Sequence, residues 1–323
     1  MIIIDSERIF FFDKEPLDIS FNELSSDDLK TARCHVELHR HTEKIHQLFL
    51  MFKFNLDCIQ NNYTLMNSGE VFQNNNPAKG DEDYIAINAY VNNLISAGRT
   101  LIESMECYFN VLHNDDEQKN QYLDYYHNTY DKSFAYRFLI RLRDFSQHGH
   151  MPVFKQGHNY YFDLKQILET PHFNHNNALK QQMKRSADEI IEIYRDNPTL
   201  SLTKTLAEYV SQLLLIYHKF WLQIEPNIID ASLKFQSIIK SNAQNIIDNG
   251  NGFAKFFIYD VVEGNAHATP IDINSQAMLQ NFKEEARIIS EEYQEALKQL
   301  FEAIFWIRYT GEGHLEVGTG MLP

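Results

Sequence analysis

Apolar residues recur along this chain at spacings of three and four, and that rhythm predicts helices over most of its length. Leu38, Ile45, Leu48, Phe52, Leu56 and Ile59 mark one face of a helix over residues 29–61, with Asp27 and Asp28 placed to cap it. The clearest periodicity runs over 84–113 through Ile87, Val91, Leu94, Gly98, Leu101, Met105, Phe109 and Leu112. The face opposite carries Asn88, Asn92, Asn93, Ser96, Arg99, Glu103 and Glu106. Gly98 stands on the apolar seam, where the missing side chain lets a second helix come close. A polar stretch from Met66 to Asp83 joins these two helices.

A short turn at His113 leads to a third helix over 118–148. Two long helices with so short a join pack antiparallel. The third helix ends on Phe134, Phe138, Leu142 and Phe145 as its apolar stripe, with Arg137, Arg141, Asp144 and His148 on a neighbouring stripe and Arg143 and Gln147 on another. Gly149 and Pro152 are its stop signals. Residues 153–163 follow as a β-hairpin turning at Gly157. Further helices are expected over 178–195, from Thr199 or Ser201 to Ile224, from 229 to 247 after a new start at Pro226, and over 275–309. Residues 253–262 read as a strand or an extended crossover, and the tail from Gly311 as frayed. Ile2–Ile4 and Ile9–Phe12 are short apolar runs, either strands or segments packed beneath helices.

The fold class is therefore all-α in the main, a helical bundle with a small β-hairpin and helical extensions. Three segments are expected: a helical extension over 1–78, a helical bundle over 79–250, and an extended segment with a long helix over 251–323. The 323 residues, with only 12 glycines and 8 prolines, fit long regular elements and a sizeable core. Three scattered cysteines, Cys34, Cys58 and Cys107, make neither a disulfide framework nor a zinc ribbon. No apolar run approaches the roughly 18 residues that span a bilayer, and the opening Met-Ile-Ile-Ile meets Asp5 and Glu7, so a cytoplasmic protein without a membrane partner is expected. A formal charge of −15 argues against broad adhesion to nucleic acid, so any contact with RNA or DNA has to be local.

One place combines arginines, an acid and histidines: the end of the 118–148 helix. Arg143-Asp-Phe-Ser-Gln-His148, followed by Gly-His-Met-Pro-Val, resembles the motif of the HEPN superfamily, an arginine and a histidine with four to six residues between them. Asn-Asn-Leu-Ile-Ser-Ala-Gly-Arg-Thr-Leu, within 88–106, is similar to the first core helix of bacterial members. The looser spacing also fits Arg33 with His39, Arg40 with His46, Arg141 with His148 and Arg143 with His150. The polar residue directly after Arg143, the helix end and the preceding long helix favour Arg143 with His148.

The resemblance covers about residues 80–250. It implies an antiparallel helical bundle of the HEPN type and a homodimer in which two motifs face one cleft. It also implies metal-independent cleavage of RNA without a cofactor, in toxin–antitoxin, phage-defence or RNA-processing systems, with an antitoxin or defence-system protein as partner. Arg143 and His148 are then the catalytic pair and Asp144 the polar residue beside them. The chemistry suits the residue types. A histidine near its ordinary pKa of about 6.5 can take the 2′-hydroxyl proton, and an arginine stays charged and grips two phosphate oxygens. Asp144, four residues before His148, is placed to orient the imidazole, while Arg137, Arg141 and His150 are candidate RNA contacts. On an ideal helix Arg143 and His148 lie about 140° apart, so either the helix loosens before Gly149 or the other protomer completes the site.

Two further readings remain. The same bundle can serve as a non-catalytic binding or dimerisation module. His35, His39, Glu43 and His46 offer helical spacing that a zinc or iron ion can use, although no matching carboxylate–histidine pair stands on another helix. The aromatic runs Tyr125-Tyr126 and Tyr160-Tyr161-Phe162 suit either base stacking or a core. Nucleotide-binding glycine loops and a serine-esterase elbow are absent from the sequence.

Overall fold

The computed structural model describes residues 2–5, 8–12, 19–23, 25–67, 77–111, 116–147, 151–156, 159–171, 173, 176–194, 198–248, 256–262, 265–271, 305–309 and 315–319. The protein is mainly helical, as its apolar rhythm requires, with small antiparallel sheets between the helices. In chain order the elements are β1 (Ile2–Asp5), β2 (Arg8–Phe12), β3 (Ile19–Glu23), α1 (Ser26–Asn67) and α2 (Pro77–Val111). Then come α3 (Asp116–Lys132), α4 (Phe134–Gln147), β4 (Val153–Gln156), β5 (Asn159–Asp163) and α5 (Leu164–Glu169). They are followed by α6 (Asn177–Tyr194), β6 (Thr199–Ser201), α7 (Leu202–Asp248), β7 (Phe256–Val262), β8 (Asn265–Ile271), β9 (Phe305–Tyr309) and β10 (Leu315–Thr319).

The chain forms two compact units, one of Met1–Lys44 with Leu222–Glu284, the other of Ile45–Trp221 with Glu285–Pro323. In the first unit the apolar runs at the N-terminus are strands: β1-β2-β3 is an antiparallel sheet, and β1 lies against the β7-β8 hairpin. Its buried apolar residues include Ala32, Val36 and Leu38 of α1 and Ile228, Phe235 and Ile238 of α7. Ser25, not Asp27 or Asp28, caps α1: its Oγ accepts from the Asp28 N–H at 3.1 Å, and the two acids occupy the first turn, where the helix dipole favours them.

The second unit holds the predicted seam. Ile87, Val91, Leu94, Leu101 and Met105 of α2 are fully buried, and Phe109 nearly so. Gly98 faces α7 closely enough that an added Cβ would meet the Tyr209 hydroxyl and lie 2.7 Å from Leu213 Cδ1. The hairpin at 153–163 is present in the register Val153↔Phe162, and β6 adds a third strand to it.

Further expectations are corrected. The 118–148 helix is two helices, α3 and α4, meeting at Ser133. Pro226 does not begin a new helix but lies inside α7 on an exposed face, where water can satisfy the carbonyl that loses its N–H partner. The connection over 66–83 is shorter than predicted, since α2 starts at Pro77, a residue whose missing N–H is harmless in a first turn. At the C-terminal end, residues 305–309 belong to β9 and not to a helix, and the expected frayed tail contains its antiparallel partner β10. The rest of the helix expected over 275–309 lies outside the described residues.

Candidate functional site

The site is built on α4, whose start is fully accounted for. Ser133 Oγ accepts from the Tyr136 N–H at 3.2 Å and donates to Glu208 Oε1 of α7 at 2.5 Å. The same carboxylate oxygen accepts from the Ala135 N–H at 3.4 Å. A serine cap and an anion thus satisfy orphan donors of the first turn, and this is why one long amphipathic pattern divides at Ser133. Phe138 and Leu142 on the predicted apolar stripe are fully buried, with Phe138 edge-on to Phe162 of β5 at 5.2 Å.

Arg137, a candidate RNA contact, is 5% exposed. Its Nη1 donates to the Tyr130 carbonyl at 2.6 Å and to the Asp131 carbonyl, and its Nη2 to Gln182 Oε1 of α6. The guanidinium closes the last carbonyls of α3 and ties α6 to α4, so it faces the fold's interior and not solvent. Arg141 is half-buried, with its Nε 3.4 Å from the Tyr130 hydroxyl.

Arg143 differs from both. It is half-buried, and its Nε is shut off from solvent without a hydrogen-bond partner among the described residues. Asp144 belongs to the last turn of α4, its side chain outside what the structure describes. The described part of α4 runs to Gln147. His148, His150 and His158 lie outside the described residues.

Across from α4 runs α2, and here the expected polar face is not solvated throughout. Asn88 is 2% exposed. Its Oδ1 accepts from the Val153 N–H at 2.9 Å, and its Nδ2 donates to the Val153 carbonyl at 3.0 Å and to the Tyr84 carbonyl at 3.1 Å. The amide acts as a strand partner for the first residue of β4, fixing the chain just after the α4 terminus to α2. One turn on, Asn92 is half-buried, and its Oδ1 is sequestered without a partner among the described residues. A sequence signal for Asn88 was present: Val91, Ile95 and Ile102 stand three, seven and fourteen residues later, so it borders the buried seam.

At the other end of the α2–α4 interface Glu106 faces a group of tyrosines. Burial raises the Glu106 carboxyl above its usual range, opposed by His127 and reinforced by Glu103. Tyr126 is pushed up to about 12 by burial first and then by the Glu106 charge. Tyr136 and Tyr209, with stacked rings 5.8 Å apart, are also raised, chiefly by burial. These phenols are neutral at any ordinary pH. Arg99 and Glu103 form an ion pair at 2.8 Å on the outer part of this face.

Elsewhere, His35 is 1% exposed and stacks on Phe235 at 4.5 Å and 9°. The histidine stripe of α1 therefore turns one member into the core, and among the described residues no three His, Cys, Asp or Glu side chains gather as a metal-holding set. Tyr160 and Phe162 are buried, as a core reading of that run expects, and Tyr125 and Tyr126 are half-buried. No helix among the described residues is long and apolar enough to cross a membrane. Comparison with protein-family models, with curated proteins and with solved structures finds no match to this chain.

Proposed function

We propose that this protein is an HEPN-like, metal-independent endoribonuclease that works as a cytoplasmic homodimer. Its reaction is transfer of the RNA phosphodiester to the neighbouring 2′-oxygen. His148 removes the 2′-hydroxyl proton, the 2′-oxygen–phosphorus bond forms, and the bond to the 5′-oxygen breaks, that oxygen leaving with a proton from an acid or water. Arg143 holds the charge that builds on the non-bridging oxygens, and Asp144 orients the imidazole. A toxin or phage-defence effector fits such an activity, with an antitoxin or defence-system protein as the partner restraining it.

The observation that supports this reading is the state of Arg143. Of the arginines on α4, Arg137 is consumed by the fold, whereas Arg143 sits at the helix end with a donor left over among the described residues. A second reading, a non-catalytic binding or dimerisation module, is favoured by the net charge of −15.

Cleavage of a mixed RNA pool in EDTA, with light scattering on the same samples, tests the two. The ribonuclease reading expects cleavage in chelator by a dimer and its loss in both Arg143→Ala and His148→Ala. A chain that dimerises yet cleaves no RNA leaves the binding module, and activity indifferent to both substitutions overturns the assignment of the pair.

A further inference from the structure

One phenol oxygen gathers donors from two sides. Tyr130, near the end of α3, has its hydroxyl 3.2 Å from Asn176 Nδ2 and 3.4 Å from Arg141 Nε of α4. The Asn176 amide has its orientation fixed from behind, because its Oδ1 accepts from the Leu179 N–H at 3.0 Å as α6 begins. Its nitrogen is therefore the atom that meets Tyr130, and an arginine Nε can only donate. The Tyr130 oxygen accepts twice, so its own proton is left to be donated elsewhere.

The guanidinium adds to that surplus. Among the described residues the bond to Tyr130 is the only polar contact of Arg141, and its two terminal nitrogens are not sealed from solvent. Tyr130, Arg141 and Asn176 are all half-buried. Beneath them Arg137, 5% exposed, donates to the Tyr130 carbonyl and to Gln182 of α6, so α3, α4 and α6 are fastened to one another where the three side chains meet. The result is a rigid, partly open cluster that offers a hydroxyl proton and the fork of an arginine. Its complement is an oxyanion with several acceptor oxygens.

We propose that Arg141, Tyr130 and Asn176 form a subsite for a backbone phosphate of single-stranded RNA. Arg141 grips two non-bridging oxygens through its terminal nitrogens, the Tyr130 hydroxyl donates to one of them, and Asn176 holds the phenol in place. Arg141 lies about 160° from Arg143 around α4, so the phosphate it binds belongs to a different nucleotide from the one cleaved. The choice of RNA as occupant rests on the ribonuclease reading; the donor cluster does not.

The test is binding by the full chain of a fluorescent 2′-O-methyl oligouridylate, which keeps the phosphates but lacks the hydroxyl that cleavage needs. Anisotropy is read over a range of salt, beside urea midpoints for each variant. Arg141→Ala is expected to weaken binding about tenfold and to lower the salt slope by roughly 0.7, one phosphate contact fewer. Tyr130→Phe, which removes a single oxygen and keeps the ring, weakens it about threefold or more with the slope unchanged. Asn176→Asp keeps an acceptor for the Leu179 N–H, and so the urea midpoint, but sets a carboxylate beside the cluster and weakens binding about tenfold.

RNA affinity indifferent to all three substitutions overturns the inference. So does a chain that broadens the phosphorus resonance of inorganic phosphate through Arg141 yet binds no oligouridylate, since the cluster is then a small-anion site only. Binding that needs Arg141 and Tyr130 in a chain that cleaves no unmodified RNA leaves the subsite standing and removes the ribonuclease reading. Cleavage that needs Arg143 and His148, with binding indifferent to the cluster, does the reverse.

Discussion

At the first turn of α4, Arg137 finds two backbone carbonyls and a glutamine oxygen within a fold that also caps Ser133 and anchors Glu208. Six residues later, about 9 Å along the same helix, Arg143 keeps Nε unpartnered among the described residues, as does the Asn92 oxygen of the helix opposite. Both arginines stand in one amphipathic segment, and nothing in their spacing tells them apart. The difference lies in what the neighbouring chain offers. The start of α4 abuts the end of α3, whose last carbonyls need donors, so an arginine there becomes part of the architecture. The end of α4 has no such demand on Arg143 among the described residues, and leftover polar capacity in a protein interior is where recognition or chemistry is to be sought.

The sharpest way to break this contrast is to remove each arginine in turn. Arg137→Leu leaves the Tyr130 and Asp131 carbonyls and the Gln182 amide oxygen without their donor, a loss of roughly 3 kcal/mol or more by the usual cost of stranding buried polar groups. Urea denaturation followed by circular dichroism is expected to show that loss, with RNA cleavage per folded molecule unchanged. Arg143→Leu is expected to do the opposite. Its unfolding free energy stays within about 1 kcal/mol of the native chain or rises, because a buried donor without a bond is removed, while cleavage falls about a hundredfold or more. Two variants with the same profile would erase the distinction between the ends.

Gly98 tests whether packing near the start of α4 is insulated from its end. An alanine there gains helix propensity but drives its Cβ into the Tyr209 hydroxyl and Leu213, and the Tyr209 ring stacks on Tyr136. A destabilisation of about 1–3 kcal/mol is expected for Gly98→Ala, read by the urea midpoint. Under the ribonuclease reading, cleavage per folded molecule should be kept, since the displaced ring stacks on Tyr136 in the first turn of α4.

How much of this was legible in the residues follows from which forces decide each feature. The α2 seam and the close approach at Gly98 could be read because burial repeats with the helix and glycine has one steric use there. The break at Ser133 was hidden, because the apolar stripe continues in phase across it and only the Glu208 side chain, 75 positions away in sequence, shows that the serine is a cap. The continuous α7 was masked by Pro226, where exposure outweighs the proline's local preference. At the candidate site the sequence grouped Arg137 with Arg143, since both are cations on one helix, and only the Tyr130, Asp131 and Gln182 oxygens show that Arg137 is held within the fold. It read the face of Asn88 and Asn92 only as polar, because the burial of Asn88 depends on Val153 of β4, a partner that no local pattern encodes.

The smallest effect expected concerns Glu106, which carries the charge at the Tyr136 end. Burial raises its folded-state pKa above the ordinary 4.5, so folding favours the protonated carboxyl. The stability that this proton contributes is complete below pH 4.5 and is lost as pH rises through the higher folded-state value. Glu106→Gln, which cannot ionise, should therefore melt at a higher temperature than the native chain at pH 7, with the gap closing as pH falls through the folded-state value toward 4.5. The shift should be modest, because Glu106 is only half-buried and the nearby His127 opposes it. A gap that persists unchanged to low pH would mean that the glutamine acts by packing and not by charge. The tyrosine end would then be electrostatically quiet, leaving the contrast with the Arg143 end resting on hydrogen bonds alone.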